Sequence, residues 1–202
     1  TLIGLFLIAG MPWAYFLGIA LAGVIAAFAL VMATPSRLIR FTAWLNPGAA
    51  DPMGVMWQYE KGTWALASGG IWGTGLGRSK LKWSWIPEVE NDFIFAVIGE
   101  ELGLIGALFV VLLFFALGLT MFSIAKHQNS AFSRNLVVGV MLWVVFQAFI
   151  NISVVLGLLP VLGVPLPLIS AGGSSLIATL AGIGVVLAVE RVRTLKLGRR
   201  NI

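Results

Sequence analysis

The chain has 202 residues, of which 59% are hydrophobic and only 10% are charged. A soluble domain carries about 25% charged residues, so the composition excludes an ordinary soluble protein and indicates an integral membrane protein. Cysteine is absent, which excludes a disulfide framework and a thiolate metal site. The net charge of +5 comes partly from a basic C-terminal tail, which indicates contact with anionic lipid headgroups and not with nucleic acid.

The apolar segments predict an all-α polytopic helical bundle that forms a single membrane domain over residues 1–202. The first apolar run, residues 2–9, is too short for a span of about 20 residues, so we expect it to be the end of a truncated helix. Four complete transmembrane helices are predicted over residues 13–34, 92–124, 136–159 and 174–189.

Residues 35–91 differ in composition from the spans, because they contain charged residues, Gly, Pro and six of the eight Trp residues. Trp prefers the headgroup level of a bilayer, so this segment is predicted to be a large loop along the membrane surface. Short helices are predicted at residues 36–45 and 58–68. The first is either an interfacial amphipathic helix or a solvated connector.

Basic residues in the short loops and the tail predict the orientation of the bundle. On one side lie Lys126, His127, Arg134, Arg191, Arg193, Lys196, Arg199 and Arg200. The positive-inside rule makes this side cytoplasmic. The C-terminus is therefore predicted to be cytoplasmic, and the large loop extracellular.

Acidic residues collect where the large loop meets the second complete span. Glu88, Glu90 and Asp92 lie at this boundary, and Glu100 and Glu101 lie about two helical turns inside the apolar run. A charged side chain at the centre of a membrane helix costs about 2.5–3.5 kcal/mol. Carboxylates at such positions therefore predict a functional site.

A regular helix from Asp92 would separate the two inner glutamates. Glu100 would lie about 80° round the axis from Asp92, and Glu101 about 180°. We therefore expect the two side chains to face different surroundings, with at least one pairing with a group outside this chain. The glycines on the Asp92 face, which predict close helix packing, are Gly99, Gly103 and Gly106.

A glycine-rich stretch before the acids carries three cations, Arg78, Lys80 and Lys82. Glycine lets a backbone approach an anion closely, and Arg or Lys neutralises phosphate. The stretch therefore predicts either a phosphate-binding loop or a loop whose cations pair with nearby acids and lipid headgroups. The spacing leaves both readings open.

Later polar residues predict helix contacts and a turn. Gln147 and Asn151 lie four residues apart, on one helical face, and indicate interhelical hydrogen bonds. Ser170, Ser174 and Ser175 surround Gly172 and Gly173, which predicts a re-entrant turn that faces a cavity.

Three stretches, residues 68–77, 86–106 and 165–175, resemble the C-terminal half of the shape, elongation, division and sporulation (SEDS) family, which includes FtsW, RodA and SpoVE. The resemblance is strongest to FtsW-type division members. It implies a bacterial plasma-membrane glycosyltransferase of peptidoglycan synthesis, at work in cell division or cell shape. This enzyme polymerises lipid II beside a class B penicillin-binding transpeptidase. Two departures are residues 89–91, which read Val-Glu-Asn where the family usually has Ala-His-Thr, and Ala171, where many members have Tyr.

The resemblance implies that Asp92 is the catalytic residue, a general base on the acceptor hydroxyl, with polyprenyl pyrophosphate as the leaving group. A competing reading makes Asp92 the N-cap of its helix. No cofactor is certain, but a divalent cation, Mg²⁺ or Mn²⁺, could be held by Asp92 and Glu88. The predicted substrate-binding residues are Glu88, Arg78, Lys80, Lys82, Ser170 and Ser174.

Two other functions remain open from the sequence. The chain could belong to a lipid II flippase, or to a non-catalytic scaffold for the penicillin-binding protein. We expect the fragment alone to be inactive, because the resemblance covers only half of the family. The septum is the expected location of a division member.

Overall fold

A computed structural model describes residues 12–46, 55–80 and 89–200 of the protein. All regular elements in these ranges are helices, which confirms the predicted all-α class. They are α1 (Trp13–Ala33), α2 (Pro35–Leu45), α3 (Val55–Gly69), α4 (Val89–Asp92), α5 (Ile94–Lys126), α6 (Ala131–Val155) and α7 (Gly173–Arg200). The four predicted spans correspond to α1, α5, α6 and α7.

Three helices, α5, α6 and α7, are long and apolar enough to cross a membrane, and the bent pair of α1 and α2 brings the number to four. Many large apolar side chains on these helices are exposed, among them Leu21 and Phe28 of α1 and Leu108 and Phe109 of α5. An apolar surface of this kind suits lipid as the surrounding solvent.

The turn between α1 and α2 occurs at Thr34, whose backbone is extended, and Pro35, which begins α2. Pro fixes its own φ and favours an extended residue before it. The chain therefore bends by 101° between α1 and α2. The helix predicted at residues 36–45 is confirmed.

Two clusters of buried side chains hold the bundle together. One joins α3, α5 and α6 with residues 156–172 and includes Phe93, Phe95 and Leu166. The other joins α5, α6 and α7 near residues 127–130 and includes Val137 and Val186. We call the end of the bundle where α5 begins the site end, and the end with residues 127–130 the opposite end.

Helix α5 is interrupted at Gly103, whose φ of 68° is left-handed. In a regular helix the amides of Leu104 and Ile105 would bond carbonyls four residues earlier. They donate instead to Gly70 O (2.9 Å) and Ile71 O (3.4 Å) in the segment after α3. The expected regular helix is therefore wrong.

The two carbonyls freed by this break also bond to the segment after α3. Glu100 O accepts from the amide of Thr74 at 2.9 Å, and Glu101 O accepts from the amide of Gly75 at 3.1 Å. We call residues 69–80 the glycine loop. The glycine loop thus replaces the missing helical partners on both sides of the break.

The glycine loop lies in backbone contact with α5. A Cβ on Gly73 would overlap Glu101 O and Gly103 N, and a Cβ on Gly69 would overlap Gly99 O. The close helix packing predicted from the glycines is confirmed at Gly99, which packs against Leu66 of α3; at Gly103 the neighbour is a loop, and the nearest atoms to a Cβ at Gly106 would be those of Leu102 in its own helix.

Replacing Gly103 with Ala should destabilise the protein by about 1–3 kcal/mol or more, because a left-handed backbone strains a residue with a Cβ and the new methyl would meet the backbone of Ile71 and Gly73. The measurement is the midpoint of unfolding in detergent. Gly184→Ala is the matched control, since a Cβ at Gly184 meets nothing within 4 Å. Equal midpoints for the two variants would contradict the strained contact.

Candidate functional site

Residues 156–172, which we call the return loop, connect α6 to α7 and fold back at the site end. Two amide side chains of α6 hold this loop: Gln147 Nε2 donates to Pro165 O at 3.0 Å, and Asn151 Nδ2 donates to Val164 O at 2.7 Å. The two residues share a face of α6, as predicted. Their hydrogen bonds reach loop backbone, however, where we expected another long helix.

The backbone of α4 is held by Asn151 and by Ser170 of the return loop. Asn151 Nδ2 donates to Asp92 O at 2.9 Å, and Ser170 Oγ donates to Asn91 O at 2.5 Å. Ser170 Oγ also accepts from the amide of Leu166 at 2.7 Å. The return loop, α6 and the residues before α5 therefore form one hydrogen-bonded unit around Asp92.

The side chain of Asp92 is half-buried and lies beside Gly163, where a Cβ would stand 3.5 Å from Oδ2. Helix α5 begins at Ile94, and its N-cap is Phe93, with no side-chain cap. The N-cap reading of Asp92 is therefore wrong, because Asp92 closes the separate turn α4.

Glu100 and Glu101 face the glycine loop together. Glu100 is 3% exposed and Glu101 6%. The Glu100 carboxylate accepts from Ser79 Oγ (2.6 Å) and the Lys80 amide (3.2 Å), while Glu101 Oε1 accepts from the Ser79 amide (3.4 Å). We expected different surroundings and a partner outside this chain, but both glutamates bind the fully buried Ser79, and Glu100 also binds the Lys80 amide.

The predicted cations Arg78 and Lys80 flank Ser79 and are exposed. The contact of the Lys80 amide puts the pair at the level of Glu100, about 9 Å along α5 from its start at Ile94 by the helical rise. Substrate binding by these two cations stays a prediction. Lys82 and Glu88, which complete the predicted cation and carboxylate set, lie outside the described residues.

The two predicted serines differ in their surroundings. Ser170 is 7% exposed and its hydroxyl has a backbone partner on each side. Ser174 is exposed in the first turn of α7. Substrate contact at either serine stays a prediction.

Among the described residues, no cluster of three or more His, Asp or Glu side chains is arranged to hold a metal ion. Asp92 is within these residues, but Glu88, its predicted partner, is not. The divalent cation stays a prediction.

Sequence reasoning missed Gly163 and the contacts of α2. Gly163 has a φ of 67° and lies beside Asp92 in the irregular segment that precedes the turn at residues 167–169. Its signal was a glycine just ahead of two prolines. In α2, Trp44 Nε1 donates to Gly157 O at 3.0 Å, and Arg40 Nη1 donates to Val161 O at 3.4 Å. The amphipathic pattern of α2 indicated a surface helix but not its attachment to the return loop.

The fold and the site define a polytopic helical membrane protein whose buried polar residues collect mainly at one end of the bundle. A family model described as a cell cycle protein, which covers FtsW, RodA and SpoVE, matches residues 1–195. The chain belongs to this family, the SEDS family that its motifs predicted, and it is FtsW-like.

Two curated relatives support this assignment. The chain is 46% identical over 203 residues to the probable peptidoglycan glycosyltransferase FtsW of Mycobacterium tuberculosis, which covers 98% of the chain and 38% of that protein. It is 40% identical over 191 residues to the stage V sporulation protein E of Bacillus subtilis, which covers 95% of the chain and 52% of that protein. The chain thus spans about half, or less, of the length of these relatives.

A crystal structure of an aspartate-to-alanine mutant of the rod shape determining protein RodA from Thermus thermophilus is similar to this chain. The TM-score is 0.53 at 29% sequence identity, over 85% of this chain and 56% of that one. This similarity supports the helical membrane fold.

Replacing Glu100 with Ala should loosen the glycine loop, because each buried donor left without a partner costs about 1–3 kcal/mol. The measurement is amide hydrogen exchange, and we expect faster exchange at Thr74, Ser79 and Lys80. Glu60→Ala removes an exposed acid from α3 and is the control. Unchanged exchange in the Glu100 variant would contradict the role of the Glu100 carboxylate in holding the glycine loop.

Replacing Asn151 with Leu should free the return loop from α4, because a side chain of similar size loses the bonds to Asp92 O and Val164 O. We expect a loss of about 1–3 kcal/mol or more in unfolding free energy, and greater protease sensitivity in residues 160–172. Asn129→Leu, at an exposed position of the opposite end, is the control. Equal protease sensitivity would contradict the role of Asn151.

Proposed function

We propose that the protein acts in peptidoglycan glycosyl transfer, joining lipid II units into glycan strands. Asp92 is the general base in this proposal. The named activity of its FtsW relative supports the reaction class, and the environment of Asp92 supports the residue. Because the chain spans only part of its relatives, the active unit is the complete protein that carries this chain.

The chemistry requires one proton transfer and one displacement. The Asp92 carboxylate takes the proton of an acceptor sugar hydroxyl, and the hydroxyl oxygen attacks the anomeric carbon of the donor. The bond from that carbon to the lipid diphosphate breaks, and its electron pair stays on the diphosphate oxygen. A group that stabilises this new negative charge lowers the barrier.

The observation that carries the proposal is the support around Asp92. Its backbone oxygen is bonded to Asn151, and its neighbour Asn91 is bonded to Ser170. Its carboxylate lies beside Gly163, which has no side chain to cover it. A base must be held within hydrogen-bond reach of the proton it removes, and this backbone support fixes its starting point.

The distribution of polar residues argues against a flippase. A path for a polar headgroup needs polar groups through the depth of the membrane. The buried polar side chains of the described residues are Ser79, Glu100, Glu101, Asn151, Ser170 and Thr179. All but Thr179 lie in the hydrogen-bonded elements of the site end, and Thr179 bonds its own helix at Ser175 O.

The remaining partners are part of the same proposal. The orientation that the basic residues predict puts Asp92, Arg78 and Lys80 on the extracellular side, and substrate binding by Arg78, Lys80, Lys82 and Glu88 stays part of the proposal. A class B penicillin-binding transpeptidase is the protein partner, and a division septum is the expected location.

Replacing Asp92 with Asn should lower polymer formation by roughly 10²–10⁴-fold, because the amide cannot accept the proton at a useful rate. The measurement is glycan length and yield from purified lipid II, with the complete protein and its cognate transpeptidase. Glu60→Gln, an exposed acid of α3, is the control and should polymerise normally. Stability and complex formation are matched across the variants.

Equal polymer from the native protein and the Asp92 variant would move the base elsewhere, with Glu88 the next residue to replace. No polymer from either, with the transpeptidase complex intact, would favour the scaffold function.

A further inference from the structure

A second feature at the site end is a groove of about 340 Å³ between α1, α2 and the return loop. Its lower wall is apolar and comes from α1, with Ala27, Leu30 and Val31. Its far side is the return-loop segment 160–162. The groove follows from the 101° bend at Thr34 and Pro35, because a straight helix would leave no corner.

Two arginines of α2, Arg37 and Arg40, line the polar end of this groove. They are three residues apart, so they are neighbours on one helical face. None of the described residues that line the groove is acidic. The groove therefore presents two guanidinium groups, both exposed, above an apolar wall.

The groove is connected to Asp92 through the return loop. Arg40 Nη1 donates to Val161 O at 3.4 Å, a long bond that uses one of the five guanidinium donors. Val161 is two residues from Gly163, at most about 7 Å along the chain, and Gly163 lies beside Asp92 Oδ2. Arg40 and the carboxylate of Asp92 thus lie against the same short segment.

We propose that this groove binds the diphosphate of a polyprenyl diphosphate lipid, with Arg37 and Arg40 on the phosphates and the hydrocarbon chain along α1. The assignment rests on the glycosyl transfer proposed above, and it makes these arginines the site of the leaving group. The diphosphate gains the electron pair of the broken bond, and two planar guanidinium groups suit two adjacent phosphates.

The chemistry of the groove favours such a lipid over a water-soluble anion. A soluble diphosphate would use only the arginines, and the exposed apolar wall would serve no purpose. The nearness to Asp92 favours a lipid that takes part in the reaction over a phospholipid of the surrounding bilayer. Arg78 and Lys80 are less suited to this role, because they lie near Glu100 and not beside the return loop.

The test is equilibrium binding of a polyprenyl diphosphate to the complete protein in nanodiscs of neutral phosphatidylcholine. The double variant Arg37→Gln/Arg40→Gln should bind roughly tenfold or more weakly, because charged hydrogen bonds to the phosphates are lost. Arg37→Lys/Arg40→Lys should bind with intermediate affinity. Arg134→Gln, an exposed cation of the opposite end, should bind as the native protein does.

A second variant tests the apolar wall without removing charge. Ala27→Trp fills the groove from the exposed side of α1 and should weaken binding of polyprenyl diphosphate while leaving binding of inorganic diphosphate unchanged. Unfolding midpoints of all variants are compared with the native value. If the arginine variants are unfolded, the binding measured with the Ala27 variant tests the proposal. Native binding in both the double arginine variant and the Ala27 variant would overturn the site.

Competition identifies the source of the phosphate. Phosphatidylglycerol and the corresponding polyprenol should compete at least tenfold less well than polyprenyl diphosphate. Equal competition by phosphatidylglycerol would assign the groove to bulk anionic lipid and overturn the proposal.

The two proposals can fail separately. If binding depends on Arg37 and Arg40 but no polymer forms from lipid II, the proposed lipid site stands and the proposed glycosyl transfer is contradicted. Polymer that depends on Asp92, with binding and KM for lipid II unchanged in the double arginine variant, would retain the reaction and remove this site.

Discussion

The structure depends on an exchange of backbone hydrogen bonds between α5 and the glycine loop. Gly103 interrupts α5, and two amides and two carbonyls lose their helical partners. Residues 70–75 supply a partner for each of them. Unpaired backbone groups are costly at membrane depth, so the break and the loop require each other.

The two buried glutamates of α5 hold the same loop with their side chains. The carbonyls of Glu100 and Glu101 are bonded to the loop, and their carboxylates accept hydrogen bonds from the amides of Ser79 and Lys80.

A second non-helical segment, the return loop, is held by a different device. Here no helix is broken, and the loop backbone is satisfied by side-chain amides of α6. Asn151 serves two backbone carbonyls, Asp92 O and Val164 O, with one nitrogen. Because one nitrogen donates both hydrogen bonds, a single polar face of α6, with Gln147 one turn away, is enough to fix the residues around the proposed base. The two devices give backbone groups of the irregular segments hydrogen-bond partners within the protein, which a bilayer cannot supply.

The sequence was sufficient for the fold class and for the positions of the spans, because those depend on the length and composition of apolar runs. The pattern of acids beside and inside an apolar run was sufficient to indicate a site near the start of α5, but only the resemblance to the family implied a role for Asp92 among them, and that role stays a prediction. It was not sufficient for the break at Gly103. The periodicity of α5 continues through that residue, and only the contact with Gly73 and Ile71, which is distant in the sequence, makes the left-handed backbone favourable. The pairing of both glutamates with Ser79 was missed because their partners lie in the glycine loop, more than 20 residues away in the sequence, and helical angles alone do not show which segment packs beside the helix.

The return loop also links the two parts of the proposed reaction. Its residue Gly163 lies beside the carboxylate of Asp92, and its residue Val161 accepts a hydrogen bond from Arg40. Proton removal from the acceptor and charge development on the leaving group occur in one transition state, so the groups that serve them must keep a fixed separation. A short segment that contacts both can maintain this separation even though Asp92 follows the glycine loop and Arg40 belongs to α2. The position of Asn151 then matters for both Asp92 and Arg40, because its hydrogen bond to Val164 O holds the segment that lies between them.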